Sequence, residues 1–122
     1  MLPVLVNIKM VKLKILEIIA TDNTFKLSEY RGKKVWLGKC IHCNKKLYID
    51  IEGFPISQAS IEHIIPKSHG GSNELENLAI ACKSCNNFKG RTLDNKKRGH
   101  PVLEKVISSL QEKRMTRWQK NS

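Results

Sequence analysis

Apolar side chains at the start of the chain follow two periodicities at once. Over residues 4–10 they alternate with other residues as in a strand, whereas over residues 8–18 they recur at the spacing of a helix face. The pattern therefore predicts either a strand or a helix for residues 4–19 and does not decide between them. Polar residues 21–23 then end the segment.

Three later stretches have the composition of strands. Residues 33–37 and 46–51 predict a hairpin whose turn carries the first two cysteines. Residues 60–65 predict a further strand, which ends at Pro66 because proline has no N–H for a ladder and keeps the preceding residue extended.

The second half of the chain predicts one more strand and two helices. Residues 78–81 are a short apolar strand, and residues 82–91 have a composition that suits a helix. Pro101, in a first-turn position, begins an amphipathic helix. The apolar face of this helix carries Leu103, Val106, Ile107 and Leu110, and its end is basic, with Lys113, Arg114, Arg117 and Lys120.

Composition and charge narrow the class of protein. The chain has 122 residues, of which 40% are hydrophobic and 27% charged, as in one small globular domain. Lysine and arginine number 22 against 11 acidic residues, which gives a net charge of +11. Such a surface favours a nucleic acid, bound mainly through its phosphates. The alternatives are an anionic membrane surface and charge that serves only solubility.

The N-terminal apolar segment is neither a membrane span nor a secretory signal. Charged residues at positions 9, 12, 14 and 17 interrupt it, so it falls short of the roughly 20 apolar residues of a span. It also lacks a long uncharged run followed by a small-residue cleavage site. We therefore expect an intracellular, cytoplasmic protein.

All four cysteines belong to C-x2-C pairs, Cys40 with Cys43 and Cys82 with Cys85. Two such turns can close a tetrahedral shell of thiolates around one structural Zn²⁺. A redox pair and isolated buried thiols are the alternatives. Within the first turn, we expect His42 to face solvent rather than to replace a ligand.

The segment between the two cysteine pairs carries a pattern that resembles the HNH endonuclease family. The shared features are residue types in a fixed order, a glycine loop and flanking C-x2-C pairs. They comprise Glu62-His63-Ile64-Ile65-Pro66, Gly70-Gly71, Asn77-Leu78 and Cys82-Lys83-Ser84-Cys85-Asn86-Asn87-Phe88-Lys89. The resemblance covers residues 40–91 and implies an α+β fold with a small ββα-metal core.

The resemblance also implies catalytic roles in DNA hydrolysis. His63 corresponds to the general base that activates water, and Asn77 to the residue that orders the loop beside it. Glu62 and Asn86 correspond to ligands of a catalytic Mg²⁺ or Mn²⁺, which prefers carboxylate and amide oxygens. In this sequence Glu62 stands where aspartate or histidine is more common, and Asn86 where histidine is usual.

DNA is the partner that the resemblance implies. We expect Lys67, His69, Lys89 and Arg91, together with the basic C-terminal segment, to contact its backbone. This prediction of DNA binding is compatible with a partner subunit or a dimer.

The predicted catalytic roles of Glu62 and His63 require one irregularity in the backbone. Glu62 and His63 are adjacent, and adjacent side chains of a regular strand point to opposite faces. We therefore expect the strand to become irregular at this pair.

Three segments follow from these patterns. Residues 1–34 form an N-terminal extension of undetermined structure, residues 35–92 a zinc-stabilised HNH core, and residues 93–122 a basic linker with a C-terminal helix. The alternative function is a zinc-ribbon-like module that binds nucleic acid without cutting it. A nuclease that is active only with a partner subunit is a third hypothesis.

Overall fold

The computed structural model describes the backbone of residues 4–120 and the side chains of residues 8–120. Its helices and strands follow in the order α1 (Val4–Ala20), β1 (Lys26–Tyr30), β2 (Lys33–Lys39), β3 (Lys46–Asp50), β4 (Ala59–His63), β5 (Leu78–Cys82), α2 (Lys83–Phe88) and α3 (Pro101–Arg117). The α+β class is confirmed, and the ambiguous N-terminal segment is a helix.

Strands β1, β2 and β3 form an antiparallel sheet in that order. The predicted hairpin is β2 with β3, and Lys39 lies opposite Lys46 on either side of the turn that carries Cys40 and Cys43. Strand β1 was not predicted. Its side chains are exposed or half-buried, so it has no apolar period by which to recognise it.

Strands β4 and β5 form a separate two-stranded antiparallel sheet, in which Glu62 lies opposite Ala79 and His63 opposite Leu78. Every residue of β5 is buried. Helix α2 begins directly after β5 and continues into a π-helical turn at Lys89–Leu93. The strand–loop–strand–helix order predicted for the central segment is thus present.

Helices α1 and α3 complete a single hydrophobic core with the two sheets. Ile18 of α1, Ile80 of β5 and Leu103 of α3 belong to the same buried cluster. The predicted terminal segments therefore pack against the central one. Within residues 4–120, no helix is both long and apolar enough to cross a membrane.

Two arginines of α3 are structural, which contradicts the prediction that they bind DNA. Arg114 is fully buried and donates to the carbonyl oxygens of Leu78 at 2.8 Å and Thr21 at 2.9 Å. Arg117 is 6% exposed and donates to the carbonyl oxygen of Lys39 at 2.9 Å. Their spacing on α3 turns both side chains inward, where they bind backbone groups from distant parts of the chain.

Candidate metal and catalytic site

The four cysteines converge on one point. Cys40 and Cys43 lie on the turn between β2 and β3, Cys82 is the N-cap of α2, and Cys85 lies in the first turn of α2. Their Sγ atoms all lie within 4.8 Å of one another. Four ligands at about 2.3 Å from a tetrahedral Zn²⁺ would be about 3.8 Å apart. The cluster can therefore hold a metal ion, and it ties α2 to the β2–β3 hairpin as predicted.

Backbone N–H groups point at these sulfurs. The amide of His42 lies 3.4 Å from the Sγ of Cys40, and the amide of Cys82 lies 3.3 Å from the same atom. Burial raises the pKa of the Cys82 and Cys85 thiols. A bound cation would offset this effect, because metal ligation requires the thiolate form. Four sulfurs around one point suit a single ion better than two redox pairs or isolated thiols.

The side chain of Asn77 clamps the chain that follows β4. Its Oδ1 accepts from the N–H of Ile65 at 2.8 Å, and its Nδ2 donates to the carbonyl oxygens of Ile65 at 3.0 Å and Ser72 at 2.9 Å. Three hydrogen bonds from one carboxamide hold both ends of the loop between β4 and β5. This is the type of contact expected of a loop-ordering residue.

His63, the last residue of β4, directs its ring into that loop. Its Nε2 lies 2.8 Å from the Oδ1 of Asn73. A carboxamide oxygen can only accept, so Nε2 carries the hydrogen and Nδ1 keeps its lone pair. The ring is half-buried, which leaves it accessible to a ligand. Asn73 was not singled out in the sequence, where it is one polar residue of a loop.

Helix α2 covers the open edge of β4. The N–H of Ile64 bonds to the carbonyl oxygen of Asn77, in register with β4–β5 pairing, so the carbonyls of Ile61 and His63 point away from β5. Asn86 donates through Nδ2 to the Ile61 carbonyl at 3.1 Å and to the Oγ of Ser60 at 2.9 Å. Both bonds use the amide nitrogen and leave the Oδ1 of Asn86 for another partner.

Glu62 is a buried carboxylate on the same face of β4 as Ser60, because residues two apart in a strand share a face. It is 1% exposed. The Nε2 of His42 lies 2.7 Å from its Oε1 and 2.6 Å from its Oε2, and the Nζ of Lys89 lies 3.9 Å from Oε1. The prediction that His42 faces solvent is wrong, since the His42 side chain is 18% exposed and holds Glu62.

The expected irregularity at Glu62 and His63 is absent. Both residues pair with β5 in unbroken register, and the pairing continues through Ile64. Glu62 and His63 therefore point to opposite faces of β4. Glu62 shares its face with the Ser60–Asn86 contact, whereas His63 faces the loop clamped by Asn77.

The predicted DNA contacts differ in exposure. Lys89 is 1% exposed, and its Nζ donates to the carbonyl oxygen of His63 at 3.1 Å and to Asp94 at 3.0 Å, so the structure gives it an internal role instead. His69 is half-buried, with Nε2 at 2.9 Å from the Asp94 carbonyl oxygen. Lys67 and Arg91 are exposed.

A groove lies beside α2 and the π-helical turn that follows it. It has a volume of about 460 Å³ and is lined by Asn86, Asn87, Gly90 and Arg91. Among residues 4–120, the four cysteines are the only cluster of three or more histidine, cysteine or acidic side chains with metal-binding geometry.

Comparison with known proteins gives a match for the central segment of the chain. Residues 40–92 match the family model described as HNH endonuclease. No curated protein and no solved structure gives a significant match. The matched residues contain both cysteine pairs, β4, β5 and α2.

Proposed function

We propose that this chain, whose residues 40–92 match the HNH endonuclease family model, is a metal-dependent endonuclease that hydrolyses DNA phosphodiesters. The observation that carries the proposal is the contact between α2 and β4. Asn86 uses its amide nitrogen on the strand, which leaves its Oδ1 beside the strand that carries Glu62 and His63. The spacing of these residues is that of the family pattern.

His63 is the proposed general base. Its ring is half-buried at the end of β4, with Nε2 engaged by Asn73 and the Nδ1 lone pair left to accept a proton from water. A positioned base of this kind typically contributes 10² to 10⁴ in rate. Asn77 supports the geometry by holding the loop against which the ring lies.

Glu62 and Asn86 are the proposed ligands of a divalent ion. Carboxylate and amide oxygens suit Mg²⁺ and Mn²⁺. The Oε2 of Glu62 is buried, and although the Nε2 of His42 lies 2.6 Å from it, it accepts no hydrogen bond of suitable geometry within the described part of the chain. Such an oxygen can serve as a ligand of a cation. A bound divalent ion would stabilise charge on the phosphate and the leaving oxygen.

Net charge and the exposed side chains support DNA as the substrate. The chain carries +11, and Arg91 lies in the groove that Asn86 also lines. Lys67 is exposed on the loop that follows β4. Phosphate contacts by these two cations would place the backbone beside His63 without reading its sequence.

A plasmid assay tests the proposal. Supercoiled DNA is incubated with the zinc-loaded protein and Mg²⁺ or Mn²⁺, with and without brief chelation. We expect nicked or linear product only with the ion, and a rate lower by about 10² to 10⁴ for His63→Ala. If wild type and His63→Ala both bind DNA and both leave the plasmid intact, catalysis is contradicted.

One observation favours the second candidate, a nucleic-acid-binding module that does not cut. The Glu62 side chain has no exposed surface, and the cationic side chain of Lys89 and the ring of His42 lie beside it, so charged or polar groups of the chain already accompany its carboxylate. The plasmid assay separates the candidates, because at low salt a binding module retards DNA with or without the divalent ion and cleaves it in neither case.

A further inference from the structure

His42 connects the cysteine cluster to the catalytic strand. Its backbone belongs to the first C-x2-C turn, where its N–H lies 3.4 Å from the Sγ of Cys40. Its carbonyl oxygen accepts from the Nζ of Lys113 of α3 at 3.1 Å. From this backbone position the ring extends to Glu62.

The ring of His42 makes a hydrogen bond with only one of the two carboxylate oxygens of Glu62. The Nε2 of His42 lies 2.7 Å from Oε1 and 2.6 Å from Oε2, but only the contact with Oε1 has the geometry of a hydrogen bond. Lys89 approaches the same oxygen, with its Nζ at 3.9 Å. Oε2 is left buried without a hydrogen bond among the described residues. An acceptor that is buried and unpaired costs free energy, and more so when it is charged, which favours a ligand at Oε2.

We propose that His42 is a positioning residue for the divalent ion: it holds Oε1 of Glu62 and thereby presents Oε2 to the ion. This inference rests on the proposed function, in which Glu62 is a ligand. Hydrogen-bond partners of metal-ligating carboxylates typically change metal affinity by 10- to 100-fold when removed. Because His42 lies between Cys40 and Cys43, the zinc site and the divalent-ion site are coupled through one side chain.

The test measures Mn²⁺ binding in the absence of DNA. Zinc-loaded full-length protein is titrated with Mn²⁺, and the free ion is followed by electron paramagnetic resonance. We expect His42→Ala to weaken Mn²⁺ binding by about 10- to 100-fold, with one zinc per chain retained. His42→Gln, which keeps an N–H donor, should recover most of the affinity. Lys45→Ala, an exposed position on the same turn, is the matched control and should bind Mn²⁺ as wild type does.

The outcomes separate this inference from the function on which it rests. If His42→Ala retains zinc and binds Mn²⁺ as tightly as wild type, or more tightly, His42 does not position the ligand and the inference is overturned. If His42→Ala loses zinc, His42→Gln is compared with His42→Leu, which has no donor: equal Mn²⁺ affinity of the two zinc-loaded variants overturns the inference, and an affinity at least 10-fold lower for His42→Leu supports it. If Glu62→Ala, which has no side-chain oxygen, also leaves binding unchanged, Glu62 is not a ligand and the proposed function loses its metal site as well.

Discussion

The ring of His63 is tied to Asn73, with Nε2 2.8 Å from the Oδ1 of the carboxamide. The two residues lie ten positions apart in sequence, and the loop that joins them is closed by Asn77. One ring nitrogen is thereby committed to the protein, and the other is left for a proton from water. Orientation of the proposed base thus depends on a loop residue outside the family pattern.

Replacement of Asn73 by alanine should lower kcat for DNA cleavage with little change in KM. The ring would lose its fixed orientation, and misplacement of a catalytic group by about 1 Å can cost 10²-fold in rate. Asn73→Asp keeps an oxygen acceptor and should retain most of the activity. Steady-state kinetics on plasmid DNA measure both variants. Wild-type kcat in Asn73→Ala would show that the contact does not orient His63.

Replacement of Asn77 by alanine should destabilise the fold. Its three hydrogen bonds to backbone groups would be lost, at about 0.5–1.5 kcal/mol each. Urea unfolding measures the free-energy change. Asn87→Ala alters an exposed asparagine of α2 and should leave the midpoint unchanged. An equal urea midpoint for Asn77→Ala and wild type would contradict the role of Asn77 in ordering the loop.

Removal of the cysteine-bound metal should abolish cooperative unfolding. Structural zinc contributes about 10–16 kcal/mol in small peptides, which exceeds the usual stability of a domain, about 5–15 kcal/mol. Elemental analysis should find one zinc per chain, and Cys40→Ser or exhaustive chelation should remove both the metal and the thermal transition. Full cooperative melting without zinc would contradict a structural role for the cluster.

Arg114 should matter for stability and not for DNA binding. Burial lowers the pKa of its guanidinium, while the charge of Asp22 opposes this shift. Arg114→Met would leave the carbonyl oxygens of Leu78 and Thr21 unpaired, a loss of about 3 kcal/mol or more. Chemical denaturation and DNA titration measure the two effects. Arg98→Ala, an exposed arginine, is the control. A large fall in DNA affinity without loss of stability would instead support the prediction that the basic C-terminal segment contacts the DNA backbone.

The sequence predicted those features that depend on local spacing. A C-x2-C pair is a local motif, and the order of strand, glycine loop, strand and helix is set by residues within the matched segment. The cysteine cluster and the α2 position of Asn86 could therefore be inferred before the structure.

Other features depend on contacts between distant residues and could not be predicted in this way. His42 and Glu62 meet across twenty positions of sequence, and nothing in the local pattern of either residue indicates the pairing. Arg114 belongs to a run of basic residues with no local sign of burial, but the docking of α3 buries it. Strand β1 has no buried face and forms because β2 offers an edge. In each case tertiary packing decides the outcome.

The central claim is that one divalent ion, held by Glu62 and Asn86, lies across a DNA phosphate from His63. A crystal structure of the His63→Ala variant with a short duplex and Mn²⁺, with the ion located by anomalous scattering, tests it most directly. We expect a manganese peak in contact with Glu62 and with the Oδ1 of Asn86, at about 2.1 Å from each oxygen as for a small hard cation, beside a phosphate. A bound duplex with no manganese at these two side chains would contradict the claim.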